Sequence, residues 1–144
     1  MAEGETSIDV TEDLYALIVY LHVDCNRDLL DAIAREQLSF SELQLLERLR
    51  GGRRRPTVSQ AASMMHVTNQ GASRIVSELA RRGLVRRETD DKDYRAKRIV
   101  ITDRGEQAIG RLHAARLGGI SSFNQALEPD ERAQLHRALA GVLK

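Results

Sequence analysis

Between Ser39 and Thr102 this chain marks where its helices start and stop more tightly than anywhere else, and that spacing constrains the fold most. Ser39-Phe40-Ser41-Glu42 is a capping box: the Ser39 hydroxyl takes the N3 amide while Glu42 reaches back, and Leu38 can staple onto Leu43. The helix it opens should reach about Arg50 and stop at Gly51-Gly52. Thr57-Val58-Ser59-Gln60 repeats the pattern and opens a short helix over about 58–65. Thr68 is a good N-cap for another helix through Arg82, ended by Gly83. Past Gly83 the period changes. Leu84–Glu88 and Lys97–Ile101 are short, rich in β-branched residues, and flank a charged turn from Thr89 to Ala96, which is the pattern of a β-hairpin.

The flanking segments are helical. Apolar residues at Leu14, Leu17, Ile18, Leu21, Cys25, Leu29 and Ile33 predict one long helix over about 8–35, with Asp24, Arg27, Asp28 and Asp31 on its other side. Thr102 caps a helix from Asp103 towards Phe123, whose stripe of Ile109, Leu112, Ala115, Leu117 and Ile120 is weak. A last helix starts near Pro129, a residue suited to the first helical position, and carries Leu135, Leu139 and Val142. The fold class expected is mainly α with a small β-hairpin. Helix, short helix, tight turn, helix and hairpin form a winged helix-turn-helix core at about 39–102. Helices at about 8–35 and 103–144 form a dimerisation region, all within one domain of 144 residues.

Charge follows the same division. The formal net charge is +1, yet Arg53 to Arg104 holds 13 Lys/Arg against 6 Asp/Glu, while the rest holds 9 against 15. A basic middle between acidic ends fits one surface that meets a polyanion and another that faces away from it. With aromatics at 3% and no Trp, a carbohydrate- or single-strand-stacking surface is disfavoured. The acidic start, Met1 to Glu5, has no apolar core of a secretory signal, and no run is apolar for the ~18–20 residues of a membrane span. The single cysteine, Cys25, fits a reducing compartment, so a cytoplasmic location is expected.

Within the expected helix-turn-helix, Ala61 and Ala62 are small enough for a close helix crossing, Val67 should fill the turn, and Ile75, Val76, Leu79 and Leu84 should be buried. The opposite face of the second helix presents Asn69, Gln70, Ser73 and Arg74, side chains suited to base edges in a major groove: Asn and Gln to adenine, Arg to guanine or phosphate. Thr68, the loop Arg53-Arg54-Arg55, and Lys97 with Arg98 are candidates for the DNA backbone. Arg95 stands at the hairpin tip, two residues after Asp93. There its guanidinium, oriented by the Asp93 carboxylate, could enter a minor groove.

At these residues the sequence resembles the MarR family of bacterial transcription regulators. Three stretches carry the resemblance: Thr57 to Arg74 in the helix-turn-helix, Leu79 to Arg87 at the exit into the wing, and Asp93 to Gly105, with Asp-x-Arg at the wing tip and Thr-x-x-Gly at its exit. The resemblance implies a homodimer joined by its first and last two helices and a winged lobe on each side of a near-palindromic double-stranded operator. It also implies repression relieved by a small ligand, often an aromatic or phenolic acid, between the dimer helices and the winged lobe; no pocket residue is legible in the sequence. No cofactor, metal site or catalytic residue is expected. His22, His66, His113 and His136 are scattered, and no Gly-rich phosphate loop, Gly-x-Ser-x-Gly or His-Glu-x-x-His occurs. Two alternatives remain at this point. One is a redox-sensing regulator using Cys25, against which stand its place on an apolar stripe and the neighbouring Asp24 and Asp28. The other is a winged-helix protein-interaction module without DNA binding, against which stands the basic centre.

Overall fold

The computed structural model describes residues 8–143, so the acidic Met1–Glu5 stretch lies outside the described residues. The elements are α1 (Thr11–Val23), α2 (Arg27–Glu36), α3 (Phe40–Leu49), α4 (Val58–Met65), α5 (Asn69–Arg81), β1 (Val85–Thr89), β2 (Lys97–Ile101), α6 (Asp103–Ala126) and α7 (Pro129–Val142). They divide into two compact units. One is 31–114; the other comprises 8–30 and 115–143 among the described residues, so the division falls inside α2 and inside α6.

In the 31–114 unit the caps form as the sequence directs. The Glu42 amide donates to Ser39 Oγ at 3.2 Å and the Ser39 amide to Glu42 Oε2 at 2.7 Å. Thr57 and Gln60 exchange the equivalent pair at 3.2 and 2.9 Å, and the Gly71 amide donates to Thr68 Oγ1 at 3.0 Å. The core is Leu45, Leu46 and Leu49 of α3, Ala61 and Ala62 of α4, Val76 and Leu79 of α5, Ile99 of β2, and Ile109 and Leu112 of α6, all buried. Each buried leucine-sized side chain contributes about 1.5–3 kcal/mol relative to leaving it in water. Ile75 is only half-buried. At the α4–α5 turn His66 is left-handed, with φ 54°. Met65 is buried there, whereas Val67 is 38% exposed and does not fill the turn as expected.

β1 and β2 pair antiparallel, Val85 with Ile101 through Thr89 with Lys97. Ile99, Val100 and Ile101 are all buried, which breaks strand alternation because the 53–57 loop lies along β2: the Ile99 amide donates to the buried Pro56 carbonyl at 2.8 Å. The Thr-x-x-Gly exit is a packing device. Thr102 Oγ1 donates to the Gly83 carbonyl at 2.6 Å and accepts from the Gly105 amide at 3.1 Å. Gly105 lies so close to the Leu84 carbonyl that a Cβ would overlap it.

The unit of 8–30 and 115–143 corrects one expectation: the first segment is two helices, not one. The chain leaves α1 at Asp24 and enters α2 through Asn26, whose carbonyl accepts from the Leu30 amide at 2.8 Å. Asp and Asn are weak helix formers that favour helix ends, which outweighs the continuous apolar spacing. Gly119 of α6 abuts the Cys25 carbonyl with no room for a side chain, and Cys25 is buried in that bend. Tyr20 and Phe123 form a tilted ring pair, centroids 6.1 Å apart. Nothing on α1 or α7 is buried; Leu14, Ile18 and Val23 are 53–66% exposed. Among the described residues no helix is long and apolar enough to cross a membrane.

Candidate nucleic-acid interface

The first two turns of α5 place Asn69 above Ser73 and Gln70 above Arg74, each pair four residues apart and hence on one face. Asn69, Gln70 and Arg74 are exposed and Ser73 is half-buried, while Ala72, Val76 and Leu79 on the other face are buried. The helix is therefore split between a core stripe and a polar stripe at its N-terminal end, where unpaired amides also favour anionic groups. Farther along, Glu78 is drawn back by Arg81 at 2.5 Å, so its carboxylate is spoken for.

The wing tip, 90–96, is acidic in sequence but its carboxylates are largely consumed. Asp90 accepts the Lys92 amide at 2.7 Å and Arg98 Nε at 2.5 Å, and these two partners, the amide foremost, hold its carboxyl below the usual range. Asp93 accepts the Arg95 backbone amide at 3.0 Å. That differs from the expected role, in which the Asp93 carboxylate would grip the guanidinium: it fixes the backbone of Arg95, and the guanidinium instead lies over the Tyr94 ring. The cause is spacing, since a carboxylate two residues upstream in a tight turn reaches the amide before the side chain.

Arg98 also departs from expectation. Rather than a free phosphate contact, it is a half-buried brace, donating to Asp90, to Gln60 Oε1 at 3.0 Å and to the Arg55 carbonyl at 3.4 Å. Gln60 thereby closes the α4 cap and holds the wing with one oxygen. Arg53, Arg54 and Arg55 are exposed on the loop tied to β2 through Pro56, and Arg55 pairs with Glu88 at 3.6 Å. Lys97 is exposed and donates to Thr89 Oγ1 at 2.9 Å; Thr68 is exposed with its hydroxyl committed to the cap. Among the described residues Arg53, Arg54, Arg74 and Arg95 form no ion pair.

Two residues absent from the sequence-level expectations complete the lobe. Arg82, at the C-cap of α5, donates to the Glu36 and Gln37 carbonyls at 2.5 and 2.9 Å, anchoring the helix's far end to the end of α2. Its sequence signal, a cation in a helix's last turn, points equally to solvent. Tyr94 is the other.

A helix with a buried stripe and an exposed polar N-terminal face, followed by a braced hairpin with a cation at its tip, defines a winged helix-turn-helix. Residues 36–96, most of the winged lobe, match the family model described as MarR family, the family the sequence resembles. No curated protein sequence matches the chain. Solved structures share the fold over nearly all of it. The YusO protein of Bacillus subtilis is 19% identical with TM-score 0.72, the match covering 93% of this chain and 94% of that one. A variant of S. aureus MepR bound to an oligodeoxyribonucleotide is 18% identical with TM-score 0.67, covering 92% and 94%. MepR bound to ethidium bromide is 18% identical with TM-score 0.70, with the same coverage.

Proposed function

We propose that this chain is a homodimeric, sequence-specific DNA-binding transcriptional regulator of the cytoplasm, a repressor rather than an enzyme, released from a near-palindromic operator by a small aromatic ligand. One observation carries the reading: Asn69, Gln70 and Arg74 stand exposed together on α5, beside a braced wing whose Arg95 has no carboxylate partner among the described residues. In this reading α5 enters the major groove, where Asn69 and Gln70 read adenine and Arg74 guanine or phosphate, with Ser73 between them. Arg95 enters the adjacent minor groove, and Thr68, Arg53, Arg54, Arg55 and Lys97 line the backbone. The dimer is supported by the apolar exposure of α1 and α7, which a second copy would cover, and two-fold symmetry would set the two α5 helices about one turn of DNA apart. Fold-level likeness to MepR, captured with DNA and with ethidium bromide, supports both DNA and a small aromatic ligand as partners.

Footprinting on DNA upstream of the chain's own gene, with and without candidate aromatic ligands, tests the reading. It expects a protected near-palindrome that reopens with ligand. Arg95→Ala should weaken operator binding without lowering thermal stability and reduce the slope of log-affinity against log-salt by about one. Unchanged affinity and slope would mean the wing does not touch this DNA.

A further inference from the structure

Tyr94 has no role in the core, being 75% exposed at the tip of the wing. A ring this exposed contributes little to the stability of the fold. The ring meets the guanidinium of Arg95, whose central carbon sits 5.8 Å from the ring centroid, within the range in which the negative ring face attracts a cation. The backbone beneath is pinned: the Ala96 amide donates to the Asp93 carbonyl at 2.9 Å, the Asp90 amide to the Ala96 carbonyl at 3.0 Å, and Asp93 takes the Arg95 amide. A fixed turn therefore presents a flexible arginine, with the neighbouring ring as its support.

We propose that Tyr94 is a positioning residue for DNA binding: its ring holds the Arg95 guanidinium in place before DNA arrives. The choice of partner matters. A carboxylate would also hold the guanidinium, but it would cancel the charge that attracts a phosphate-lined groove and would have to be displaced on binding. A ring face restricts the same side chain while leaving its full charge and its N–H donors in the guanidinium plane. The proposal rests on the reading of Arg95 as the minor-groove residue, and the test separates the two.

The test compares Tyr94→Phe, Tyr94→Leu and Arg95→Ala singly, with Tyr94→Leu/Arg95→Ala as the double variant, all on the full-length protein. In the free protein, NMR should show the Arg95 side-chain protons shifted by the ring in wild type and in Tyr94→Phe, and released in Tyr94→Leu. On operator DNA, Tyr94→Leu should lose about two- to fivefold in affinity, the range of an exposed cation–π contact, with the salt slope unchanged because no charge is removed. Tyr94→Phe should bind as wild type, and in the Arg95→Ala background the Leu substitution should have no further effect. A ring-independent Arg95 spectrum overturns the proposal whatever the DNA does. So does an undiminished Tyr94→Leu loss in the double variant, which would put the tyrosine itself on the DNA. If stacking is seen but Arg95→Ala binds normally, the wing reading fails and the proposed DNA role of Tyr94 falls with it.

Discussion

The two units of this chain treat their apolar side chains in opposite ways. The 31–114 unit closes its own core: Leu45, Leu46, Leu49, Leu79, Ile99 and Ile109 are fully covered, and what it leaves outside is polar or basic, with Phe40 and Tyr94 the most exposed of its few large apolar side chains. The terminal unit leaves Leu14, Tyr15, Ile18 and Val23 on α1, and Leu139 and Val142 on α7, in the open. Apolar exposure on that scale is what the proposed dimer would cover. The lobe closes a core of its own, whereas nothing on α1 or α7 is buried.

The largest expected effect breaks the terminal unit. Removing residues from Pro129 onward should leave insoluble or monomeric protein with little operator affinity, measured by sedimentation and by titration with operator DNA. A stable truncated monomer that binds the operator as tightly as the full chain would show that the exposed stripe on α7 serves nothing.

Next in size is a matched pair of truncations. Leu79→Ala opens a cavity in the closed lobe and should cost about 2–5 kcal/mol in denaturant unfolding. Ile18→Ala removes a comparable side chain from a 64% exposed site, and so should leave the stability of a dilute monomer nearly unchanged while raising the dimer dissociation constant. If Ile18→Ala destabilises the chain as much as Leu79→Ala at every concentration, α1 is already buried within one chain and the contrast is false.

The lobe was far more legible than the termini, for a physical reason. Capping boxes at Ser39–Glu42 and Thr57–Gln60, the Thr68 and Thr102 caps, and Gly83 (φ 72°) are local signals, settled within four residues of backbone, and each forms as read. The bend at Asp24–Asn26 was masked because the apolar spacing from Leu14 to Ile33 runs on through it; the clue lay in Asp24 and Asn26 themselves. The polar face of α5 followed from helical periodicity alone. The partners of Arg98 and Arg82 did not, because Gln60 lies 38 residues away, Gln37 45 and Glu36 46. Nothing in a run of basic residues says which of them points at DNA and which braces the fold.

A smaller effect contrasts the two kinds of exposed surface. Gln70→Ala, on the polar face of α5, should cost about 1–3 kcal/mol on the operator while leaving non-specific DNA binding, dimerisation and stability nearly intact. Asn69→Ala should behave alike. Equal losses on operator and random DNA would mean these side chains touch only phosphate. A loss of dimer would mean that the surface of α5 is shared with the partner subunit rather than reserved for DNA.

The smallest expected effect lies inside the lobe, at the end of α2. The Glu36 carboxylate takes both Arg111 Nε and Arg111 Nη2, the latter at 3.1 Å, and these hydrogen bonds hold its carboxyl below the usual range. A carboxyl whose folded-state pKa is depressed contributes stability that is present above its unfolded value and is lost as the pH falls through the folded one. Arg111 is more than half exposed, so solvent screens the pair and its contribution to stability should be small. Glu36→Gln should therefore be slightly less stable than wild type at neutral pH. The gap should close as the pH drops below the ordinary carboxylate range, and raising the salt should shrink it, both read from denaturant unfolding across pH. A gap that persists unchanged at acid pH would assign the role of Glu36 to shape rather than charge. The end of α2 would then be held by Arg82 on its carbonyls alone.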